Sequence, residues 1–222
     1  TIGVENPRAL STYKTIRPKV RRRDRGICNP ADSYRYVLVT SEAIRDASTD
    51  VTVHDLIAQK EARGLTATIV TIEDVYANYT GVDNAEKLRN FIIDAYTNWE
   101  TEFVLLGGDI NIIPLRYLNA EGTSIPSDLY YQCLDGTYDD NGNGIYGEPT
   151  DGPGGTDVDL MAEVYIGRAS AENEEEMSNF VFKTLAYEND AEGEPYLRTA
   201  LMCGEHLGFG GPAEYADSAM EE

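Results

Sequence analysis

The sequence has 222 residues, of which 41% are hydrophobic and 26% are charged, a composition that supports a globular protein with a sizeable core. It contains 39 acidic and 18 basic residues, which gives a net charge of −21. So acidic a chain disfavours nucleic acid and anionic membranes as partners. No apolar run of about 18 residues is present, so the sequence predicts no membrane span.

The charge is divided unevenly along the chain. Half of the basic residues precede Tyr36, several of them in the run Arg17–Arg25, whereas the remainder has 36 acidic and nine basic residues. Residues 1–33 show no periodicity and contain three prolines. We interpret 1–33 as an extended basic arm or the remnant of a pro-segment. The acidic remainder suits calcium, cationic substrates or a salty medium, and it is also compatible with simple solubility.

From residue 34 onward, strand and helix patterns alternate. Apolar or β-branched runs predict strands at Tyr34–Thr40, Thr66–Thr71, Phe103–Leu106, Glu163–Ile166 and Thr199–Cys203. Helical spacing of apolar residues predicts helices at Val51–Arg63, Asn84–Trp99 and Asn173–Asn189. This alternation indicates an α/β fold with a parallel sheet flanked by helices. We assign residues 34–117 to a first α/β subdomain and 118–222 to the start of a second.

The segment Leu118–Leu160, called the insertion below, breaks this alternation. It is rich in Gly, Asp, Asn and Pro, and it is too long for an ordinary connection. Its D-x-N-x-N-G sequence begins at Asp139 and is typical of calcium loops, since calcium takes six to eight oxygen ligands. The ligands we expect are Asp139, Asn141, Asn143, the Ile145 carbonyl and Glu148. A metal-free turn rich in Asn and Gly is the alternative.

The end of this loop departs from an EF-hand. An EF-hand has a Glu at its twelfth position, which is Thr150 here, whereas Glu148 comes two residues earlier and Asp151 one residue later. Further carboxylates lie nearby in sequence, at Asp128, Asp135, Asp157 and Asp159. They would repel one another if packed together without a cation, which supports a metal here and leaves room for a second ion.

Cysteines and histidines are few. Cys28, Cys133 and Cys203 are odd in number and fit no zinc spacing, and a Cys28–Cys133 disulfide is compatible with the sequence. His54 belongs to the surface of the first predicted helix. Cys203 and His206 would point to opposite sides of a strand, which argues against a catalytic pair. The residues Gly107–Asp109 end a strand, where either a ligand site or a capping turn is expected.

An ordered series of motifs resembles the gingipain family of cysteine peptidases, of the caspase-like clan. It comprises FVLLGGD at Phe103–Asp109, IPLR at Ile113–Arg116, SDLYY at Ser127–Tyr131, LDG at Leu134–Gly136, the loop from Asp139 to Gly144, and VYIGR at Val164–Arg168. The resemblance covers roughly residues 34–222. It implies a caspase-like fold of two subdomains, bound calcium, and a secreted or cell-surface endopeptidase that is made as a zymogen.

In that family a Cys nucleophile and the His of a His-Gly motif follow strands that have no counterpart here. The resemblance therefore implies that a C-terminal segment of the same precursor carries both, and that this chain alone is inactive. It also implies that Glu205 supports the catalytic His and that Asp217 binds the Arg of a peptide or protein substrate. Asp217 is equally compatible with an exposed helix face. The alternative function is a non-catalytic, calcium-stabilised surface or adhesion module; a nucleotide-binding protein would need a phosphate loop, which the sequence lacks.

Overall fold

The computed structural model describes residues 26–120, 122–190 and 194–200, and the chain divides into two compact units, Thr1–Phe182 and Lys183–Glu222. The strands are β1 (Tyr36–Thr40), β2 (Ala67–Thr71), β3 (Phe103–Gly107), β4 (Arg116–Ala120), β5 (Thr123–Ser127) and β6 (Tyr165–Ala169). The α-helices are α1 (Glu42–Arg45), α2 (Val53–Ala62), α3 (Ile72–Asn78), α4 (Asn84–Asn98), α5 (Leu129–Gln132) and α6 (Glu174–Asp190), and a short 3-10 helix spans Pro195–Arg198.

Four strands form a parallel sheet in the order β2-β1-β3-β6. In this register Tyr36 lies between Ala67 and Phe103, and Phe103 is level with Tyr165. Three consecutive residues of β1, Val37–Val39, are completely buried, so both faces of the sheet are covered at its centre. The α/β class and the parallel sheet flanked by helices are therefore confirmed.

Helix α4 contributes most to one side of the core. The Asp83 carboxylate caps its first turn by accepting a hydrogen bond from the Glu86 N–H at 2.9 Å. Its apolar positions Leu88, Phe91, Ile92 and Ala95 are fully buried in the same cluster as Val37 and Val39 of β1. Full burial of a Leu, Ile or Phe side chain stabilises the fold by about 1.5–3 kcal/mol.

The structure differs from the sequence prediction at several elements. Strand β6 begins at Tyr165 rather than Glu163, and Thr199 and Ala200 belong to no strand, while Leu201–Cys203 lie outside the described residues. Helix α3 was not predicted; it begins directly after β2, where the Thr71 hydroxyl accepts the Asp74 N–H. The antiparallel hairpin β4–β5 was also missed, because its mostly polar, partly exposed residues lack the alternation that marks a strand.

The insertion shares the core of the sheet. Tyr130, Tyr131 and Tyr138 are fully buried and belong to the same hydrophobic cluster as Val37 and Val104. The division of the chain at residue 117 stays a prediction. Within the part of the chain that the structure describes, no helix has the length and apolar character needed to cross a membrane.

Candidate metal centre

The segment after β3 forms a turn that the Asp109 side chain closes. Asp109 Oδ1 accepts hydrogen bonds from the backbone of Asn111 and Ile112, and Oδ2 accepts from the Asn111 amide. A Cβ at Gly108 would lie 2.7 Å from Ile112, so this close approach requires glycine. The capping turn expected at Gly107–Asp109 is therefore observed, and the ligand site expected there stays a prediction. A crevice of about 430 Å³, partly lined by Ile110, Asn111 and Ile112, lies beside it.

Arg168 on β6 fastens this turn to the start of the insertion. Its guanidinium donates two hydrogen bonds to the Asp128 carboxylate, both at 2.8 Å. It also donates to the carbonyls of Gly108 and Ile113, at 3.0 and 2.8 Å. The pair of Arg168 and Asp128 thus joins β6 to the start of the insertion. Asp128 is not part of the carboxylate cluster described below.

Arg89 on α4 organises the next stretch of the insertion. This 5%-exposed arginine donates hydrogen bonds to four backbone carbonyls, which belong to Tyr130, Cys133, Asp135 and Gly136. Its guanidinium also lies 4.7 Å from the Tyr130 ring centroid, a favourable cation–π distance. A charged side chain thus replaces regular secondary structure in fixing the residues that carry Asp135.

A second arginine packs against the same aromatic residues. Arg116 makes two hydrogen bonds with the Asp83 carboxylate, at 2.7 and 2.9 Å, while its guanidinium contacts the rings of Tyr130 and Tyr146. Burial is the largest single influence on Asp83 and works against its charge, but the hydrogen bonds from Arg116 and the Glu86 N–H, together with the positive charge of Arg116, lower the pKa of Asp83. Arg89, Arg116 and Arg168 together form what we call the arginine framework.

Three carboxylates converge next to this framework. Asp135, Asp159 and Glu163 each place an oxygen within 4.8 Å of the other two. The segment that carries Asp135 approaches the segment that carries Asp157 at Gly136. A Cβ at Gly136 would lie 2.1 Å from the Asp157 carbonyl, and its φ of +68° also favours glycine. The Asp157 carboxylate accepts hydrogen bonds from the Thr137 N–H and hydroxyl, which holds the segments together.

The electrostatics of this cluster favour a cation. Burial, followed by the charge of Asp159, raises the pKa of Asp135. Burial is also the main cause of the raised pKa of Glu163, although the Leu134 N–H opposes it by donating a hydrogen bond to that carboxylate. Asp159 Oδ1 accepts the Met161 N–H, but the buried Oδ2 has no hydrogen-bond partner among the described residues. Clustered hard oxygens with an unused buried acceptor fit calcium well.

Sequence reasoning identified this cluster only in part. Asp135 and Asp159 were named as nearby carboxylates, whereas Glu163 was assigned to a strand and missed. The sequence offered one indication of its role: Glu163 directly precedes the apolar start of the V-Y-I-G-R motif at Val164, where an acidic residue is unexpected. Asp128 and Asp157, named with the others, are engaged by Arg168 and Thr137 instead.

The D-x-N-x-N-G loop is folded on itself in the structure. The Asp139 carboxylate accepts the Gly144 N–H, and the Asn141 and Asn143 amide oxygens accept the N–H groups two residues further on. Asn143 also donates a 2.6 Å hydrogen bond to the Glu148 carboxylate. These donor types suit calcium, and each oxygen retains a second lone pair. The cluster of Asp135, Asp159 and Glu163 is the one group of three or more acidic, His or Cys side chains close enough to share an ion within the described ranges.

The described cysteines are not activated nucleophiles. Cys28 and Cys133 are free and buried, so no disulfide joins them. Burial is the largest cause of the raised pKa of both thiols, to about 11 for Cys133, whereas a reactive cysteine needs a lowered one. His54 is exposed on α2 as predicted, and its Nε2 lies 3.0 Å from the Arg45 carbonyl. Cys203, Glu205, His206 and Asp217 lie outside the described residues.

Comparisons with known proteins identify related folds and the family of the chain. No curated protein matches the chain. Two solved structures are similar in fold. A chain described as the structure of a protease has a TM-score of 0.51 and 20% identity, covering 72% of this chain and 29% of its own length. Dimeric latent PorU from Porphyromonas gingivalis has a TM-score of 0.54 and 17% identity, covering 79% of this chain and 18% of its own.

The sequence thus spans less than a third of either solved chain. The family model for Peptidase family C25 matches residues 29–222, which include the parallel sheet, the arginine framework and the carboxylate cluster. The chain therefore belongs to peptidase family C25, the gingipain family.

Proposed function

We propose that this chain forms the first part of the catalytic domain of an exported, gingipain-like cysteine endopeptidase. The observation that carries the proposal is the match of residues 29–222 to Peptidase family C25. The nucleophilic Cys and its His base then belong to a C-terminal segment of the same precursor, and Glu205 supports that His. The raised thiol pKa values of Cys28 and Cys133 agree with a nucleophile located elsewhere.

The proposed specificity is cleavage after Arg. A guanidinium that enters a pocket needs a carboxylate partner, and a planar Arg pairs with one through two hydrogen bonds. Asp217 is the residue that we assign to this role. The basic run Arg17–Arg25 would then be a substrate of the complete enzyme, which agrees with activation of a zymogen by trimming of its arm.

Substitution of Asp217 tests the specificity. In the complete enzyme, Asp217→Asn should lower kcat/KM on an Arg peptide by about 100-fold or more, because it leaves a buried cation unpaired. A matched peptide with a neutral residue at the same position should be cleaved as before. Glu221→Gln removes the same charge from the neighbouring sequence and serves as the control. Equal Arg cleavage by the two variants would show that Asp217 lies on a surface.

We also propose that calcium binds at two places, the Asp139 loop and the cluster of Asp135, Asp159 and Glu163. The proposal is supported by the donor chemistry of the loop and by the unused buried oxygen of Asp159. Calcium at a hundredfold excess over its dissociation constant should stabilise the fold by about 2.7 kcal/mol per site. Calorimetry on chelator-treated protein should detect both sites, with Asp139→Asn and Glu163→Gln each removing one.

A non-catalytic, calcium-stabilised surface module is the second candidate. The observation that favours it is the burial of both described thiols, which leaves no activated cysteine in residues 26–120, 122–190 and 194–200. Hydrolysis of Arg peptides by the complete protein, but not by residues 1–222 alone, would exclude this candidate. Calcium binding without hydrolysis by the complete protein would support it.

A further inference from the structure

The side chain of Asp151 is buried without a full set of partners. The residue is 0% exposed, and its Oδ2 accepts the Glu148 N–H at 2.8 Å. Its Oδ1 is also buried and has no hydrogen-bond partner among the described residues, and none of the described arginine or lysine side chains forms an ion pair with it. A buried carboxylate in this condition is costly unless a cation compensates it.

Asp151 lies where the calcium loop closes. Asn143 reaches the Glu148 carboxylate at 2.6 Å, and the Asn141 amide contacts the Thr150 hydroxyl at 3.4 Å. These two contacts fold residues 148–151 back onto the D-x-N-x-N-G turn. The hydrogen bond from the Glu148 N–H then holds the Asp151 carboxylate against the same closing turn.

We propose that Asp151 supplies the carboxylate that completes the cation site of the Asp139 loop, a role that rests on the proposed binding of calcium there. Its position is one residue later than the final Glu of an EF-hand. Glu148 instead closes the loop through Asn143. Because Asp139, Glu148 and Asp151 are not gathered as closely as the Asp135 cluster, binding includes a closing movement of the 148–151 turn. The expected ligand is a divalent cation that prefers oxygen, of which calcium is the best fit.

This role predicts that the effect of one substitution on the melting temperature depends on calcium. In chelator, Asp151→Asn removes an uncompensated buried charge while its amide oxygen still accepts the Glu148 N–H, so the melting temperature should stay equal or rise. In calcium the same variant loses a ligand, so its melting temperature should fall below that of the wild type. Its calcium affinity should fall at least tenfold.

Matched variants of the whole 222-residue chain make the test specific. Asp140→Asn removes the same charge from an exposed position in the loop and should weaken calcium binding at most a few-fold. Glu163→Gln, combined with each variant, restricts calorimetry to the loop site. Asp139→Asn tests whether the loop binds calcium at all.

Three results would overturn the proposal. Destabilisation by Asp151→Asn in chelator as well as in calcium would show that Asp151 is only a structural hydrogen-bond acceptor. Equal calcium affinities for Asp151→Asn and Asp140→Asn, with a large loss for Asp139→Asn, would leave the loop site intact but exclude Asp151 as a ligand. No calcium binding at the wild-type loop would reject the loop site and the role of Asp151 together.

Discussion

The parallel sheet and the insertion are stabilised in different ways. In the sheet, the residues at the centre of β1 are apolar and completely buried, and helix α4 covers them with apolar side chains. In the insertion, buried arginines hold backbone carbonyls, while Asp151 and Asp159 each retain a buried oxygen that has no partner among the described residues. The four described strands of the sheet are stabilised by apolar packing, whereas the proposed calcium ions would satisfy the carboxylates of the insertion.

The two regions therefore place different demands on the sequence. Apolar burial is not directional, so the sheet needs only the right pattern and volume of side chains. Carboxylates that are brought together against their mutual repulsion need specific geometry, here provided by Arg89, Gly136 and Thr137. Substitutions in the two regions should therefore respond differently to calcium.

The largest effect is expected in the sheet core. Phe91 is 0% exposed and packs edge-on against Tyr79 and Trp99. Phe91→Ala should lower the free energy of unfolding by about 3–5 kcal/mol because it removes the ring and leaves a cavity. Urea unfolding should give the same loss in calcium and in chelator. The control is Val82→Ala at an 80%-exposed position, which should leave the free energy of unfolding nearly unchanged. If the loss caused by Phe91→Ala depended on calcium, the sheet core and the insertion would not be stabilised independently.

A smaller but calcium-linked effect is expected for the arginine framework. Arg89→Met should destabilise the protein by about 3 kcal/mol, since several buried carbonyls lose their donor. It should also weaken calcium binding, because the backbone of Asp135 is released. Arg35→Met, which breaks an exposed pair with Glu102, should change neither quantity measurably. Unaltered calcium affinity in Arg89→Met would mean that the framework does not position the cluster.

The smallest effect is expected in the pH dependence of stability. Burial raises the pKa values of Asp135 and Glu163 in the folded state, so the folded protein binds more protons than the unfolded chain. In chelator, the stability that these two carboxyl groups contribute is therefore fully present below their ordinary pKa. It is lost as the pH rises through the raised pKa values. Melting temperatures in this window should fall more steeply for the wild type than for Glu163→Gln. Parallel curves of melting temperature against pH would show that the pKa of Glu163 is not raised by folding.

The sheet could be predicted from sequence better than the site. The strands β1, β2 and β3 and the helix α4 carry strong apolar patterns, and burial in the structure follows these patterns. The hairpin β4–β5 was missed and the start of β6 was misplaced because their residues are largely polar or exposed, so that pairing alone defines them. Such pairing depends on tertiary context that a periodicity does not contain.

The site was harder to predict because its residues come from distant parts of the sequence. The D-x-N-x-N-G loop is local and was recognised from its spacing. By contrast, the convergence of Asp135 with Glu163 depends on Gly136 approaching Asp157, and the pairing of Asp128 depends on Arg168, forty residues away. No spacing rule encodes these contacts, so acidic residues that bind arginine and those left for a cation look alike in the sequence.

The location of the nucleophile tests the central proposal most directly. The complete protein would be treated with an Arg-directed, thiol-alkylating affinity reagent, and the modified residue would be identified by peptide mass mapping. We expect a single labelled cysteine C-terminal to residue 222, with the label abolished by a competing Arg peptide. Cys28 and Cys133 should remain unlabelled because they are buried and have raised pKa values. Competable labelling of Cys28, Cys133 or Cys203, or no labelling of an enzyme that cleaves Arg peptides, would contradict the proposed division of the catalytic site.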